Sequence, residues 1–500
     1  MSLIAAIHVV LLLALALYSV HHLTLIVLCL AKRRADANVL PSPAEAALPT
    51  VTVQIPVYNE RFVAERVIEA AAAQDYPADK LQVQVLDDSD DDTVAVIDRA
   101  VARLKQEGKS VSVIRREQRA GYKAGALAAG LAQTHSELIA IFDADFVPAR
   151  DFLRRVIVER AAFADPAVGF VQTRWTFANR EDNALTRAQA VALDVHFLVE
   201  QPARAAADLM LNFNGSAGIW RRACILDAGG WQADTLTEDL DLSYRAQLRG
   251  WRAVYLPDVC AQSDLPADMS SYKRQQARWA RGSIQVARKV LPALLSSRRS
   301  LLARLAGWFH LTGYAVHALI LLLALTTPAL ALESTALGSA SLPGWLGAVG
   351  LICAAPLVSM ALAQRMQQRG LGDTLRGMLD AVLVGVGVAF SNTRAMAQAL
   401  VTPQVGTFDR TPKGDPAQGS AYRALPDWTM WAELGLSAIA SAALLLTVLE
   451  GAWAFVPTLA LYSLGFGRVW LDQVRSRSAA RVPAAMRHAL QLDKGYPSGR

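Results

Sequence analysis

The sequence predicts an α/β domain, a doubly wound and largely parallel sheet, carried on α-helical membrane spans. Three observations predict it. The apolar fraction of the 500 residues is 53% and the charged fraction 19%, where a soluble globular chain carries about 25% charged residues. Mean hydropathy is positive at +0.25, and the apolar residues concentrate toward the two ends. Between them, from Val51 to about Leu265, β-rich apolar runs alternate with amphipathic helical stretches, the pattern of a parallel sheet covered on both faces.

Residues 3–31 form one apolar run closed by Lys32, Arg33 and Arg34. As a helix it is roughly 43 Å long, more than a hydrocarbon core of about 30 Å requires. A secretory signal is the competing reading, but the basic residues follow the run and no small-residue cleavage site is evident. The positive-inside rule then puts everything after Arg34 in the cytoplasm, as expected for a multi-pass inner-membrane protein. Residues 35–49 read as a linker with three prolines, and residues 50–268 as the soluble domain. Its strands are expected at Val51 to Val57, Leu81 to Leu86, Val111 to Ile114, Leu138 to Phe142 and Val168 to Val171.

Residues 269–304 change character: nine basic residues and no acidic one lie between Lys273 and Arg304, interleaved with Ile284, Val286, Val290 and Leu291. This suits a helix lying on an anionic membrane surface; a solvated basic connector is the plainer alternative. Further spans are expected at about 305–332, 344–364, 430–449 and 452–471. The run Met378 to Phe390 gives only about 20 Å of helix, and Asp380 at mid-membrane depth would cost on the order of 3 kcal/mol. Residues 377–400 are therefore expected to be interfacial or re-entrant, which keeps 401–428 and the basic tail 473–500 cytoplasmic. Net charge is only +6, so a nucleic-acid partner is not indicated, and no protein partner can be read from the chain. The four cysteines show no CxxC spacing, suggesting neither a disulfide framework nor a zinc site.

Five motifs carry chemistry. Asp87 and Asp88 follow an apolar strand, where open α/β sheets bind ligands, although an acidic loop would look alike. Asp143 and Asp145, spaced i, i+2 after a second strand, suit one hard cation such as Mg²⁺ or Mn²⁺ clamping a diphosphate. Lys123, in a glycine-bearing stretch from Arg119, opens a helix where an anion is favoured; the Walker spacing is absent. After the turn-rich stretch from Phe213 to Gly218 comes Thr237-Glu238-Asp239, either a helix cap or a carboxylate poised to take a proton. Gln275, Arg278 and Trp279 share one helix face, an amide, a guanidinium and an indole suited to a diphosphate beside a sugar ring.

In this order the motifs resemble the signature of membrane-embedded family 2 glycosyltransferases of the cellulose synthase type. The closer resemblance is to the cellulose synthase-like A branch, associated with mannan and glucomannan synthesis. It is carried by Gln54 to Glu60, Gly121 to Leu127, Ile141 to Phe146 and Asp194 to Phe197, and covers residues 49 to 295. The resemblance implies a nucleotide-diphospho-sugar transferase (GT-A type) domain and single displacement with inversion. It implies that Asp87 and Asp88 bind the nucleotide, that Asp143 and Asp145 hold nucleotide and metal, and that Asp239, beside Glu238, is the general base. Lys123, Gln275 and Arg278 would bind the diphosphate and Trp279 would stack on the acceptor sugar. Phe408, Thr411 and Lys413 resemble the family's gating loop, departing from it at Arg410 and Pro412.

Three functions are compatible with this reading. A polymerase would transfer hexose from GDP-mannose or UDP-glucose to a β-glycan and pass the chain through its spans. A glycolipid synthase would add one sugar to diacylglycerol or ceramide. A non-enzymatic membrane protein would only bind nucleotide sugar, but every named carboxylate is present.

Overall fold

The computed structural model describes residues 2–32, 47–336, 344–402 and 427–481. The gating-loop candidates Phe408, Thr411 and Lys413 lie outside the described residues, as do most of the linker and the tail beyond residue 481.

The soluble domain is built on an eight-stranded mixed sheet. Its strands are β1 (Val51–Val57), β2 (Leu81–Asp87), β3 (Val111–Arg115), β4 (Leu138–Ile141), β5 (Val147–Pro148), β6 (Val168–Phe177), β7 (Gly218–Arg221) and β8 (Arg252–Ser263). They are ordered β3-β2-β1-β4-β7-β6-β8-β5. The expected parallel sheet holds for the half from β3 to β4. Beyond it the sheet is mixed: β7 runs antiparallel to both β4 and β6, while β6 and β8 run parallel. Neither β7 nor β8 has a strong sequence signal, because β7 has four residues after a turn and β8 carries Pro257 and Asp258.

Alternation along β4 shows how the sheet is covered on both faces. Leu138 and Ala140 join a core with Ile68 and Ala71 of the helix Ala64–Ala72, whereas Ile139 and Ile141 pack with Leu127 and Leu131 of Tyr122–Ala132. Fully burying such an aliphatic side chain contributes roughly 1.5–3 kcal/mol. The second face includes a polar layer: Gln54 Nε2 donates to Gln84 Oε1 at 3.0 Å, directly beneath Gly130. A Cβ on Gly130 would lie 2.6 Å from that amide, so glycine there lets the helix settle onto the sheet.

Five helices among the described residues are long and apolar enough to cross a membrane: Leu3–Ala31, Ala315–Glu333, Val349–Met366, Thr429–Leu449 and Trp453–Ser476. Two boundaries differ from expectation. The run 305–332 is broken: Leu301–Leu311 ends at Thr312, whose hydroxyl donates to the Trp308 carbonyl, and the spanning helix begins at Ala315. The helix at 377–400 is part of a longer pair, Leu371–Gly387 and Ala389–Val401, bent by 48°. Asp380 within it faces the soluble domain. Arg187 of the helix Ala184–Val195 donates to its Oδ2 through Nε at 2.9 Å and Nη2 at 2.7 Å. One turn earlier, a Cβ on Gly377 would meet Val191 at 2.9 Å, so the two helices lie in close contact. The second half of the pair is tied to the basic helix Met269–Ser296 through Arg288, which donates to the Ala399 carbonyl at 2.8 Å.

Candidate active site

A cavity of about 510 Å³ opens where the strand ends of the sheet meet the basic helix and the break before Ala315. Asp88, Lys123, Asp143, Asp145, Glu238, Asp239, Gln275, Arg278 and Trp279 all line it. Asp87 does not. Its carboxylate is buried under the sheet edge, accepting from Arg115 Nε at 2.8 Å and from the Ser89 N–H at 3.0 Å. Asp87 thus shapes the turn that presents Asp88.

Asp88 is itself clasped by Arg116, whose Nε donates at 2.9 Å and whose Nη2 makes the second bond. The same guanidinium donates to the carbonyls of Ala120 and Tyr122 at 2.7 and 3.0 Å, locking the turn that starts the Lys123 helix. Gly121 in this turn has φ +71°, a conformation open to glycine at little cost. Arg119 also lines the cavity, with its guanidinium 3.4 Å from the centroid of the Tyr58 ring. Arg116 was not singled out in the sequence and Arg119 was named only as the start of the Lys123 stretch; their spacing from Asp88 becomes meaningful only once β2 and β3 are paired.

Lys123 is the hub. Its Nζ lies 2.6 Å from Asp143 Oδ1 and 3.8 Å from Glu238, and donates to the Gly215 carbonyl at 2.9 Å. Burial alone would lower its pKa, but Asp143, Glu238 and Asp239 more than offset that and hold it above the usual lysine value. Asp143 is anchored by its N–H, which donates to Ser216 Oγ at 2.9 Å, and Asp145 accepts from Ser263 Oγ.

Asp239 sits in the first turn of the helix Glu238–Leu248, and its Oδ1 accepts the Leu240 N–H at 2.8 Å. Burial, aided by the Glu238 charge, pushes its pKa up to about 7 against the pull of Lys123. Facing it is Gly215, φ +83°, where a Cβ would lie 2.8 Å from Asp239 Oδ2 and 3.2 Å from Lys123 Nζ. The sequence showed this stretch as a turn; its approach to Asp239 is a tertiary fact.

The Gln275 helix is docked directly onto the Asp239 segment. The Leu236 N–H donates to Gln285 Oε1 at 2.9 Å, and Lys289 reaches Asp241 at 3.0 Å and Asp234 at 2.7 Å. Between these contacts Gly282 presses on Thr237, where a Cβ would stand 2.5 Å from the threonine methyl. Gln275, Arg278 and Trp279 consequently share a cavity with Asp239, and Tyr314 closes the far wall by donating to Gln276 Oε1 at 3.0 Å.

Residues 49–282 match the family model described as glycosyltransferase like family 2. Over residues 49–282 the chain carries the sequence pattern of a family 2 glycosyltransferase domain. Residues 225–363 match the cellulose synthase family model, so that match runs from the soluble domain into the membrane helices. The chain is 43% identical over 255 residues to glucomannan 4-beta-mannosyltransferase 2 of Arabidopsis thaliana, covering 50% of this chain and 47% of the relative. It is 41% identical over 263 residues to glucomannan 4-beta-mannosyltransferase 1 of Oryza sativa subsp. japonica, covering 52% and 50%. The chain thus spans about half the length of the curated relatives it matches. Among solved structures it is similar to the mannosyltransferase PcManGT from Pyrobaculum calidifontis, in complex with GDP-Man and Mn²⁺. That match has 22% identity and a TM-score of 0.48, covering 72% of this chain and all of that one.

Among the described residues no group of three or more His, Cys, Asp or Glu is disposed to cage a metal ion. Two carboxylates, Asp143 and Asp145, line the cavity together. All-oxygen donors in this number fit Mg²⁺ or Mn²⁺ completed by phosphate oxygens, since such ions are commonly bound through one or two carboxylates plus substrate.

Proposed function

We propose that this chain is a membrane glycosyltransferase that transfers mannose from GDP-mannose to the end of a β-glycan with inversion, its soluble domain facing the cytoplasm. One observation carries the proposal: a single cavity joins the Asp143/Asp145 pair, a half-buried Asp239 whose pKa is pushed up to about 7, and the Gln275, Arg278 and Trp279 face. The mannosyltransferase names of the relatives support mannose as the transferred sugar.

In this reading Asp88 and Arg119 hold the nucleoside end of the donor, and Lys123, Gln275 and Arg278 hold its diphosphate. Asp143 and Asp145 would hold a divalent cation, which when bound would offset the charge that develops on the leaving diphosphate. Trp279 stacks on the acceptor, and Asp239 takes the proton from its attacking hydroxyl. A base titrating near the working pH is the efficient choice for this step. The bent pair 371–401 lies at the membrane interface, because Asp380 and Ala399 are held by the soluble domain and by the basic helix.

The test is a donor panel on purified protein in nanodiscs, with nucleotide release and product both followed. GDP-mannose is expected to be turned over and to yield precipitable material that a mannanase degrades. Preference for UDP-glucose would overturn the donor, and a product extracting into organic solvent with a lipid would overturn the glycan acceptor.

A further inference from the structure

Beside the cavity lies a hydrogen-bonded chain that the reading above leaves unused. His196 and Asn214 both line the cavity, and Asn214 immediately precedes Gly215, whose carbonyl holds Lys123. Donor and acceptor roles along this chain can be worked out atom by atom. Gln201 Nε2 lies 2.8 Å from the Asn212 carbonyl, which only accepts, so this atom is a donor. The same Nε2 lies 2.9 Å from Asn214 Oδ1, so the Asn214 amide presents its oxygen to Gln201 and its NH₂ to His196. Asn214 Nδ2 is 2.9 Å from His196 Nε2, which must accept, and therefore the ring proton sits on Nδ1. Nδ1 lies 3.1 Å from Glu200 Oε2. Burial would raise the Glu200 pKa, but the His196 hydrogen bond, with Arg204 nearby, holds it below the usual value, so it is the anion that accepts.

We propose that His196 is a positioning residue: oriented by Glu200 and bonded to Asn214, it holds the Asn214–Gly215 turn so that the Gly215 carbonyl aims Lys123 at Asp143. The turn needs such support. Gly215 and Ala217 both have positive φ, a conformation that is strained for the non-glycine Ala217. The backbone of Asn214 is pinned as well, its N–H donating to Gln172 Oε1 at 2.7 Å, so His196 and Gln201 supply the side-chain half of the clamp. This inference rests on the transferase reading for its consequence, but not for its geometry.

Two substitutions separate the halves of the ring. In His196→Gln the amide oxygen stands near the place of Nε2 and still accepts from Asn214. In His196→Asn the amide stands near Nδ1, keeps Glu200 and loses Asn214. Expected is a fall in kcat/KM on the order of 10²-fold for His196→Asn, the cost of an ångström-scale misplacement, with apparent Tm little changed, and recovery of most of that loss in His196→Gln. Equal loss in both variants, or none in His196→Asn, overturns the proposal. A second measurement is independent of turnover: in protein labelled with ¹⁵N-histidine, the His196 signal, assigned by its loss in His196→Asn, is expected to be the neutral Nδ1–H tautomer near neutral pH. An Nε2–H tautomer or an imidazolium overturns the clamp even if the enzyme is active. A wild-type protein that releases no nucleotide strikes the functional reading, and the spectrum still decides the clamp.

Discussion

Replacing Asp239 by asparagine separates catalysis from stability. The substitution keeps the shape and removes the charge, in a site where burial and Glu238 push the carboxyl from 3.8 up to about 7. Three units correspond to on the order of 4 kcal/mol by which the folded site disfavours the ionised form. Because the folded pKa lies above the unfolded one, the penalty is absent below about pH 4, grows with pH and is complete above about pH 7. Asp239→Asn is therefore expected to raise the apparent Tm by several degrees at about pH 8 and to leave it little changed at about pH 4. Over the same range wild-type kcat/KM should fall as pH drops through about 7, since the base must be ionised. Turnover of the variant, measured by nucleotide release, should drop on the order of 10²- to 10⁴-fold with donor binding retained. Wild-type turnover in the variant, or loss of nucleotide binding with it, would refute the base assignment. A Tm gain that does not depend on pH would refute the desolvation argument.

Gly215→Ala places a methyl 2.8 Å from Asp239 Oδ2 and 3.2 Å from Lys123 Nζ, so nucleotide release should fall on the order of 10²-fold. Near-normal release would mean that the turn is not held against the carboxylate. Excess EDTA should abolish transfer and added Mn²⁺ or Mg²⁺ should restore it, while Asp143→Asn should need more metal for half-maximal rate; full activity in EDTA removes the role given to Asp143 and Asp145. Asp380→Leu leaves the Arg187 guanidinium without its buried anion, which costs about 3–5 kcal/mol, whereas the double variant Arg187→Met/Asp380→Leu should recover most of that. Thermal unfolding in nanodiscs checks this, and equal stability of the single and double variants would show that the pair does not join the bent helices to the soluble domain.

Much of the site was legible as motifs, since a strand end followed by carboxylates is a local pattern and sheet geometry sends such residues to one edge. Asp143 and Asp239 are cases where residue type and local position sufficed to place them in the cavity. Asp87 shows the limit: it has the same sequence character as Asp88, but its last-residue position on β2 turns it toward Arg115 and away from the cavity. Arg116 was passed over, and Arg119 and His196 were named only as members of their stretches without a role, because nothing local marks one. Their partners come from other elements, and an arginine or histidine alone is an ordinary surface residue in sequence.

What the sequence by itself determined is what depends on near neighbours along the chain: the alternating strands, the apolar runs long enough to cross a membrane, and the carboxylate pairs. Only the tertiary structure decided the relations that depend on chain reversal. These include the mixed half of the sheet around β7, the approach of Gly215 to Asp239, the clamp from Glu200 through His196 to Asn214, and the pairing of Asp380 with Arg187, 193 residues away. The last case states the reason most plainly. Desolvation cost can be read from one residue, but the charge that offsets it belongs to another element, and only folding brings the two together.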